Sequence, residues 1–451
     1  MNGRRYIGWI ALLLWLFPLG IYAQGLTLDS CLTLAKQHNP SVRQAELGVK
    51  RAEQVKAQAF TKYFPQVQGT GFGFHALQPV LEVGIDDVDN EDLRGILNLL
   101  YDRYGKDLGL DRSFTMFHYG YAFGVTAMQP VFMGGKIIAG NQLAKLGVQA
   151  AKLQAELSSR DALQDVERTY WLVYGLQLKQ AIIDDAMVLL DTLHQVVEAS
   201  VEAGVALPSD LMQVEIRRDA VQRQQLQLHS ASRLAKQALA LAIGMPLTDT
   251  ILLTDTLTVD SVMPAYMPAG MTTEASLLAL QVRAAELEKR MTLADALPHI
   301  ALGANYSYTQ WQTNIKENKW CGRENGNGSV FLTLQVPLTA WWETGHKLKE
   351  KQYALEQARI EQEYVGAQLD LRAQQAYDQM MEAEALFRIH ERTAGRAKEL
   401  YDQMRIFYEA GMATVSQLLQ AQIELTQAQT DWTDAQIAYR MSVRRYEDLS
   451  L

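Results

Sequence analysis

The sequence predicts a mainly α-helical chain that contributes four membrane β-strands to a barrel no single copy can close. Three observations predict it. The eleven prolines leave 131–207 and 338–451 free of proline, and Ala, Gln, Leu, Glu and Lys dominate those tracts. A proline inside a helix costs about 3 kcal/mol, so such tracts can hold helices far longer than the usual three turns. Four segments of roughly ten residues alternate apolar or aromatic with small or polar side chains, the pattern of a membrane-barrel strand. Finally, the chain repeats itself. At an offset of 207, Glu202-Ala203-Gly204-Val205-Ala206 matches Glu409-Ala410-Gly411-Met412-Ala413, and Pro130 pairs with Pro337. At an offset of 233, Val49, Ala52, Glu53 and Pro65 match Val282, Ala285, Glu286 and Pro298.

Composition narrows the function. Hydrophobic residues are 48% and charged residues 21%, which argues against disorder. A formal charge of −9 argues against a nucleic-acid partner, because phosphate contacts need a basic surface. The two cysteines, Cys31 and Cys321, lie outside any CxxC or Cys/His cluster, which excludes a disulfide framework or structural zinc.

Arg4 and Arg5 precede an apolar run from Tyr6 to Ala23 that ends in a small-residue cleavage site, so 1–23 reads as a secretory signal peptide. A retained anchor and a lipidated Cys31 fit less well. Pro18 and Gly20 break the run, and Cys31 lies well beyond it. No membrane helix follows.

Each half then reads as helix, strand, loop, strand, very long helix, tight turn, long helix. Asn39-Pro40 has the form of an N-cap with proline at the first helical position, and Pro65 stops that helix. In the first strand Phe72, Phe74 and Ala76 alternate with Gly71, Gly73 and His75. In the next, Phe117, Tyr119, Tyr121, Phe123 and Val125 alternate with His118, Gly120, Ala122, Gly124 and Thr126. The second half sets Ile300, Leu302, Ala304, Tyr306 and Tyr308 against Asn305, Ser307 and Thr309, then Val330, Leu332, Leu334 and Val336 against Phe331, Thr333 and Gln335. Tyr63, Phe64, Trp311, Trp341 and Trp342 near the segment ends fit an interfacial girdle at a membrane surface. Taking the small or polar faces as the lumen places His75, His118, Asn305 and Thr333 on the pore wall.

Four strands cannot close a membrane barrel, and an open edge in lipid would leave amides unpaired, so copies must assemble. The helix from Lys136 to about Ala203 would reach ~100 Å at 1.5 Å per residue, too long for one chain's core to cover. Leu418, Ala421, Leu425, Ala428, Trp432, Ala435, Tyr439, Ser442, Tyr446 and Leu449 follow 3-4 spacing, a coiled-coil seam.

The opening Leu26-Thr27-Leu28 through Ala35 and Asn39-Pro40, the paired prolines Pro65/Pro298 and Pro130/Pro337, and the two Glu-Ala-Gly turns with Leu211 to Gln213 and Leu418 to Gln420 resemble the TolC family of outer-membrane efflux proteins. The resemblance covers the whole mature chain. It implies a homotrimer whose strands form one twelve-stranded outer-membrane barrel, continued across the periplasm by a hollow α-helical barrel. It implies a passive exit duct, with no catalysis and no cofactor, joined to a periplasmic adaptor protein and an inner-membrane pump of RND or ABC type. The segments are then two structural repeats, 24–243 and 277–451, joined by an equatorial linker at 244–276. The turns Gly204, Val205, Ala206 and Gly411, Met412, Ala413 become the periplasmic tip where the adaptor docks.

The best-known members carry aspartates six and nine residues after the second tip glycine, forming an acidic, cation-binding constriction. Those positions are Gln417 and Gln420 here, and the first half offers Asp210 and Gln213. The expectation is a hydrogen-bonded constriction with Tyr408 beside it. The histidines show no metal-binding spacing, Gly134-Gly135-Lys136 fails the phosphate-loop pattern, and no nucleophile–base set can be assembled. The loop 80–112 carries nine acidic and four basic residues, net −5, and reads as a solvated, partly helical cap, with a lid narrowing the outer mouth or a cation-attracting rim as the sharper alternative. Two rivals remain: a periplasmic coiled-coil structural protein with a soluble β-domain, and an exit duct dedicated to protein secretion.

Overall fold

The computed structural model describes residues 25–78, 81–108, 112–247, 251–255, 272–313 and 325–450. The expected signal peptide, Cys321 and most of the linker lie outside the described residues. Helix α1 (Leu28–His38) starts at Thr27, whose hydroxyl accepts the Ser30 amide at 3.3 Å. Helix α2 (Pro40–Thr61) starts as the sequence indicates: Asn39 Oδ1 accepts the Ser41 amide at 2.8 Å, and proline takes the first position. The sheet follows, with β1 (Gln66–His75), β2 (Leu81–Gly84), β3 (Ser113–Met133), β4 (His299–Thr313) and β5 (Asn325–Gln335). Its order is β1-β3-β4-β5, all antiparallel, with β2 paired to the start of β3. Between β2 and β3 stands α3 (Glu91–Leu100), capped by Asn90, whose Oδ1 accepts the Asp92 and Leu93 amides at 3.0 and 3.1 Å. The 80–112 loop is thus partly helical, as expected, while four-residue β2 is too short to announce itself by alternation.

Directly paired residues of an antiparallel ladder share a face, so the register assigns the faces. Phe123 pairs with Tyr308, Val125 with Tyr306 and Leu302 with Leu332, which gathers the aromatic and aliphatic side chains of β3, β4 and β5 on one side. That side is left open by the chain: Val330 is 76% exposed. Such an open apolar belt is the pattern of membrane strands on the side they turn to lipid. The opposite side joins Thr126 to Asn305, whose Nδ2 donates to Thr126 Oγ1 at 2.8 Å, and Asn305 to Ser329. Thr333, paired with Ala301, lies on this polar side too.

The first strand corrects the sequence reading. Gly71 pairs with Phe123 and His75 with Tyr119, so Gly69, Gly71, Gly73 and His75 lie on the aromatic side. Phe72 and Phe74 lie on the polar side with Ala122 and Gly120. His75 therefore lies on the opposite side of the sheet from Asn305 and Thr333, and not on one face with them as the sequence reading had it. The physical reason is cover: the Phe123 ring lies over Gly71, where a Cβ would stand 3.2 Å from its Cδ1, so glycine on β1 makes room for β3's aromatics. His118 falls in β3, one position before the His75 partner.

Pro130 lies inside its strand. It does not end its strand, because β3 runs on to Met133. The ladder with β1 stops at Met128, and the ladder with β4 shifts register between Pro130 and Phe132, a bulge that tolerates the missing amide. Gly134 and Gly135, at φ 61° and 85°, then turn the chain into a helix. A Cβ on Gly134 would stand 2.6 Å from the Ala294 carbonyl oxygen.

The long helices are α4 (Lys136–Glu202), α5 (Pro208–Ala242), α6 (Thr273–Ala294), α7 (Ala340–Glu409) and α8 (Val415–Ser450). No described helix is long and apolar enough to cross a membrane. The chain divides into two compact units. In the unit of Arg51–Gln149 and Leu280–Ile360, Lys136 pairs with Asp295 at 2.5 Å and Lys351 with Glu288 at 3.2 Å. Exposed pairs such as these stabilise by less than about 1 kcal/mol each.

In the unit of Met1–Lys50, Ala150–Ala279 and Glu361–Leu451, the predicted α8 seam is packed. Leu418, Ala421, Ala428, Tyr439 and Tyr446 are buried, and Leu425, Trp432, Ala435 and Leu449 half-buried against them. Tyr439 stacks on Phe387 of α7 at 6.0 Å, and Tyr446 meets Tyr377 edge-on at 5.4 Å. A second core closes over the chain's start. Leu26 bridges in parallel to Leu253, and the Leu28 amide and Tyr170 hydroxyl both donate to Asp255 Oδ2 at 2.8 Å. Cys31 is fully enclosed there. Burial, and then the Asp255 charge, push its thiol up to about 11.

Candidate functional site

The two turns that join α4 to α5 and α7 to α8 are built by one hydrogen-bond pattern used twice. Gly204 at φ 73° donates to the Val201 carbonyl at 2.9 Å, and Val205 and Ala206 donate to that of Ser200 at 2.8 and 3.1 Å. Gly411 at φ 72° donates to Tyr408 at 3.0 Å, and Met412 and Ala413 donate to Phe407 at 2.7 and 3.2 Å. Every donor and acceptor in the second set lies 207 residues after its counterpart. A positive-φ glycine closing a helix this way satisfies carbonyls that the last turn would otherwise leave unpaired. The Glu-Ala-Gly duplication is therefore a duplication of a helix stop.

The following helices start by matching side-chain caps. Thr414 donates its amide to Gln417 Oε1 at 2.9 Å, and Gln417 returns its own amide to Thr414 Oγ1 at 3.3 Å, a capping box. In the first turn the Leu207 amide donates to Asp210 Oδ2 at 3.3 Å, and Pro208 holds the first helical position. Asp210 and Gln417, singled out as constriction residues, thus both serve as caps. The Thr-x-x-Gln spacing at 414–417 could have disclosed this from sequence alone.

Behind the turns, the hairpins share one core. Leu190, Leu193 and Val197 of α4 and Val214 and Val221 of α5 pack with Tyr401 of α7 and Val415, Leu418 and Leu419 of α8. Tyr408 packs half-buried against this core, and burial together with the nearby Asp210 charge pushes its phenol above the usual range. The structure brings Tyr408 of the second hairpin to Asp210 of the first. Gln420 is exposed and donates to Glu424 Oε1 at 3.0 Å, an acidic neighbour the sequence reading overlooked. It also missed a polar link across the core: Arg217 Nε of α5 donates to Gln422 Oε1 at 3.2 Å, and Gln422 Nε2 to Thr426 Oγ1 at 2.9 Å. A buried amide of this kind stays only because its partners are supplied. On the outside, Val205 is 82% and Met412 69% exposed, bare apolar side chains at the crown of each turn. Among the described residues no His, Cys, Asp and Glu group could hold a metal ion.

Comparison with known proteins agrees with this architecture. No curated protein sequence matches the chain. Among solved structures, the CmeC outer membrane channel of Campylobacter jejuni superposes with a TM-score of 0.74 at 13% identity, covering 94% of this chain and 85% of that one. The outer membrane protein VceC of Vibrio cholerae gives 0.72 at 16% identity, covering 94% and 96%. The open-state MtrE outer membrane channel of Neisseria gonorrhoeae gives 0.65 at 13% identity, covering 94% and 88%. At such identities the likeness speaks for the fold. The model of the outer membrane efflux protein family matches residues 31–245 and 276–445, most of both halves. The chain belongs to the outer membrane efflux protein family.

Proposed function

We propose that three copies of this chain close one twelve-stranded barrel in the outer membrane and continue it with their long helices as a periplasmic duct. The carrying observation is the pair of open sheet edges: among the described residues β1 pairs only with β3, and β5 only with β4. Lipid offers nothing to bond their outer amides, so β5 of one copy pairs with β1 of the next. The duct acts passively, receiving cargo from an inner-membrane pump of RND or ABC type through a periplasmic adaptor, and carries no catalytic group. In this reading 24–243 and 277–451 are the two repeats that 244–276 links. The exposed Val205 and Met412, with Gly204, Ala206, Gly411 and Ala413, form the adaptor's docking crown. Tyr408, Asp210, Gln417 and Gln420 narrow the tip, and Asn305 and Thr333 line the barrel.

Native mass spectrometry of the mature chain, extracted by detergent from purified outer membranes, tests the assembly. A trimer is the expected mass. A monomer, or a chain released without detergent, would overturn the shared barrel.

A further inference from the structure

The polar side of the sheet is not uniformly polar. Phe72 and Phe74 stand on it, stacked with ring centroids 5.8 Å apart at 27°, and Phe72 is 60% exposed opposite Ala122, with Thr70 on the same face. On the same side the Phe331 ring lies over Gly303 toward the Met128 sulfur. The strands Gln66–His75, Ser113–Met133, His299–Thr313 and Asn325–Gln335 contain no Asp, Glu, Lys or Arg. A hydrated ion meets no charge there to replace its water. A flat apolar ring meets an exposed aromatic face on the side that also carries the Thr70 and Thr309 hydroxyls, the mixture that holds small organic ligands.

We propose that Phe72 and Phe74 form an aromatic subsite on the barrel's inner wall that binds uncharged aromatic cargo in transit. The inference rests on the exit-duct reading and adds that the wall, and not only the pump, distinguishes cargo. The test is single-channel recording of the full mature chain in planar bilayers. The probes are 4-nitrophenyl β-D-glucoside and, as a non-aromatic match, methyl β-D-glucoside. The aromatic probe is expected to interrupt the wild-type current at concentrations at least tenfold below those needed with the methyl glucoside. Phe72→Leu/Phe74→Leu, which preserves apolar bulk and assembly, should remove most of that difference while leaving the unblocked conductance close to wild type. Phe72→Ala/Phe74→Ala should remove all of it. Equal block by the two glucosides, or block unchanged in the leucine variant, would overturn the subsite while leaving the duct intact. Absence of any channel current from the wild-type chain would overturn the duct reading, and the subsite with it.

Discussion

Thr414 and Gln417 cap each other: each donates its backbone amide to the other's side-chain oxygen, at 2.9 and 3.3 Å. This exchange occupies the glutamine that stands where the best-known relatives of the resemblance place an aspartate. Asp210 makes the corresponding bond in the first turn, so a carboxylate fits the geometry. Gln417→Asp should keep the cap, within about 0.5 kcal/mol, while adding a charge per copy at the tip. Thr414→Ala should cost about 1 kcal/mol. Thermal unfolding in detergent checks both. A higher cation preference of Gln417→Asp in bilayer recordings would place the residue at the constriction, and unchanged selectivity would remove it from there.

The turn glycines make a graded series. At Gly204 and Gly411 an added Cβ meets nothing within 4 Å, so alanine carries only the left-handed backbone penalty, about 1–2 kcal/mol. At Gly244, also at positive φ, the Cβ would stand 2.6 Å from that of His38, and displacement of α1 adds to the penalty. Melting temperatures should rank Gly204→Ala and Gly411→Ala together and Gly244→Ala clearly below them.

The strand faces are open to chemical labelling. In a Cys31→Ala/Cys321→Ser background, Phe74→Cys should react with a water-soluble maleimide and His75→Cys at least tenfold more slowly, because β1 sends these neighbours to opposite sides. Equal rates would mean that the polar side does not face water.

Alkali should weaken the core that encloses Cys31. Its folded thiol, pushed up to about 11 from 9.0, keeps a proton that the unfolded chain has already lost. Stability is therefore fully present below pH 9 and falls as pH rises toward 11. Cys31→Ala should flatten the fall in melting temperature over that window. Any slope that remains there or at higher pH belongs to buried tyrosines such as Tyr401, whose phenol burial shifts the same way.

Local signals carried much of the fold. Asn39-Pro40 announced a helix start, the proline-free tracts announced α4 and α7, and the 3-4 spacing from Leu418 to Leu449 announced a packed seam, because helix periodicity and capping depend on near neighbours. The Glu-Ala-Gly duplication located both turns for the same reason. Alternation also showed that β1 has two faces. It could not say which was which, since glycine and phenylalanine alternate there and either set could have met lipid. Pairing with β3 decided it: Gly71 lies under Phe123, so Phe72 and Phe74 go to the polar side and His75 to the aromatic side. The continuation of β3 through Pro130 was likewise invisible, because it depends on a ladder ending at Met128 and a bulge formed against β4. The approach of Tyr408 to Asp210, and the bond from Arg217 to Gln422, join residues about 200 positions apart. What the sequence determined by itself was every feature set within a few turns or residues. What tertiary structure alone decided was which faces and which distant polar groups meet, because that is settled only when long-range pairing fixes register.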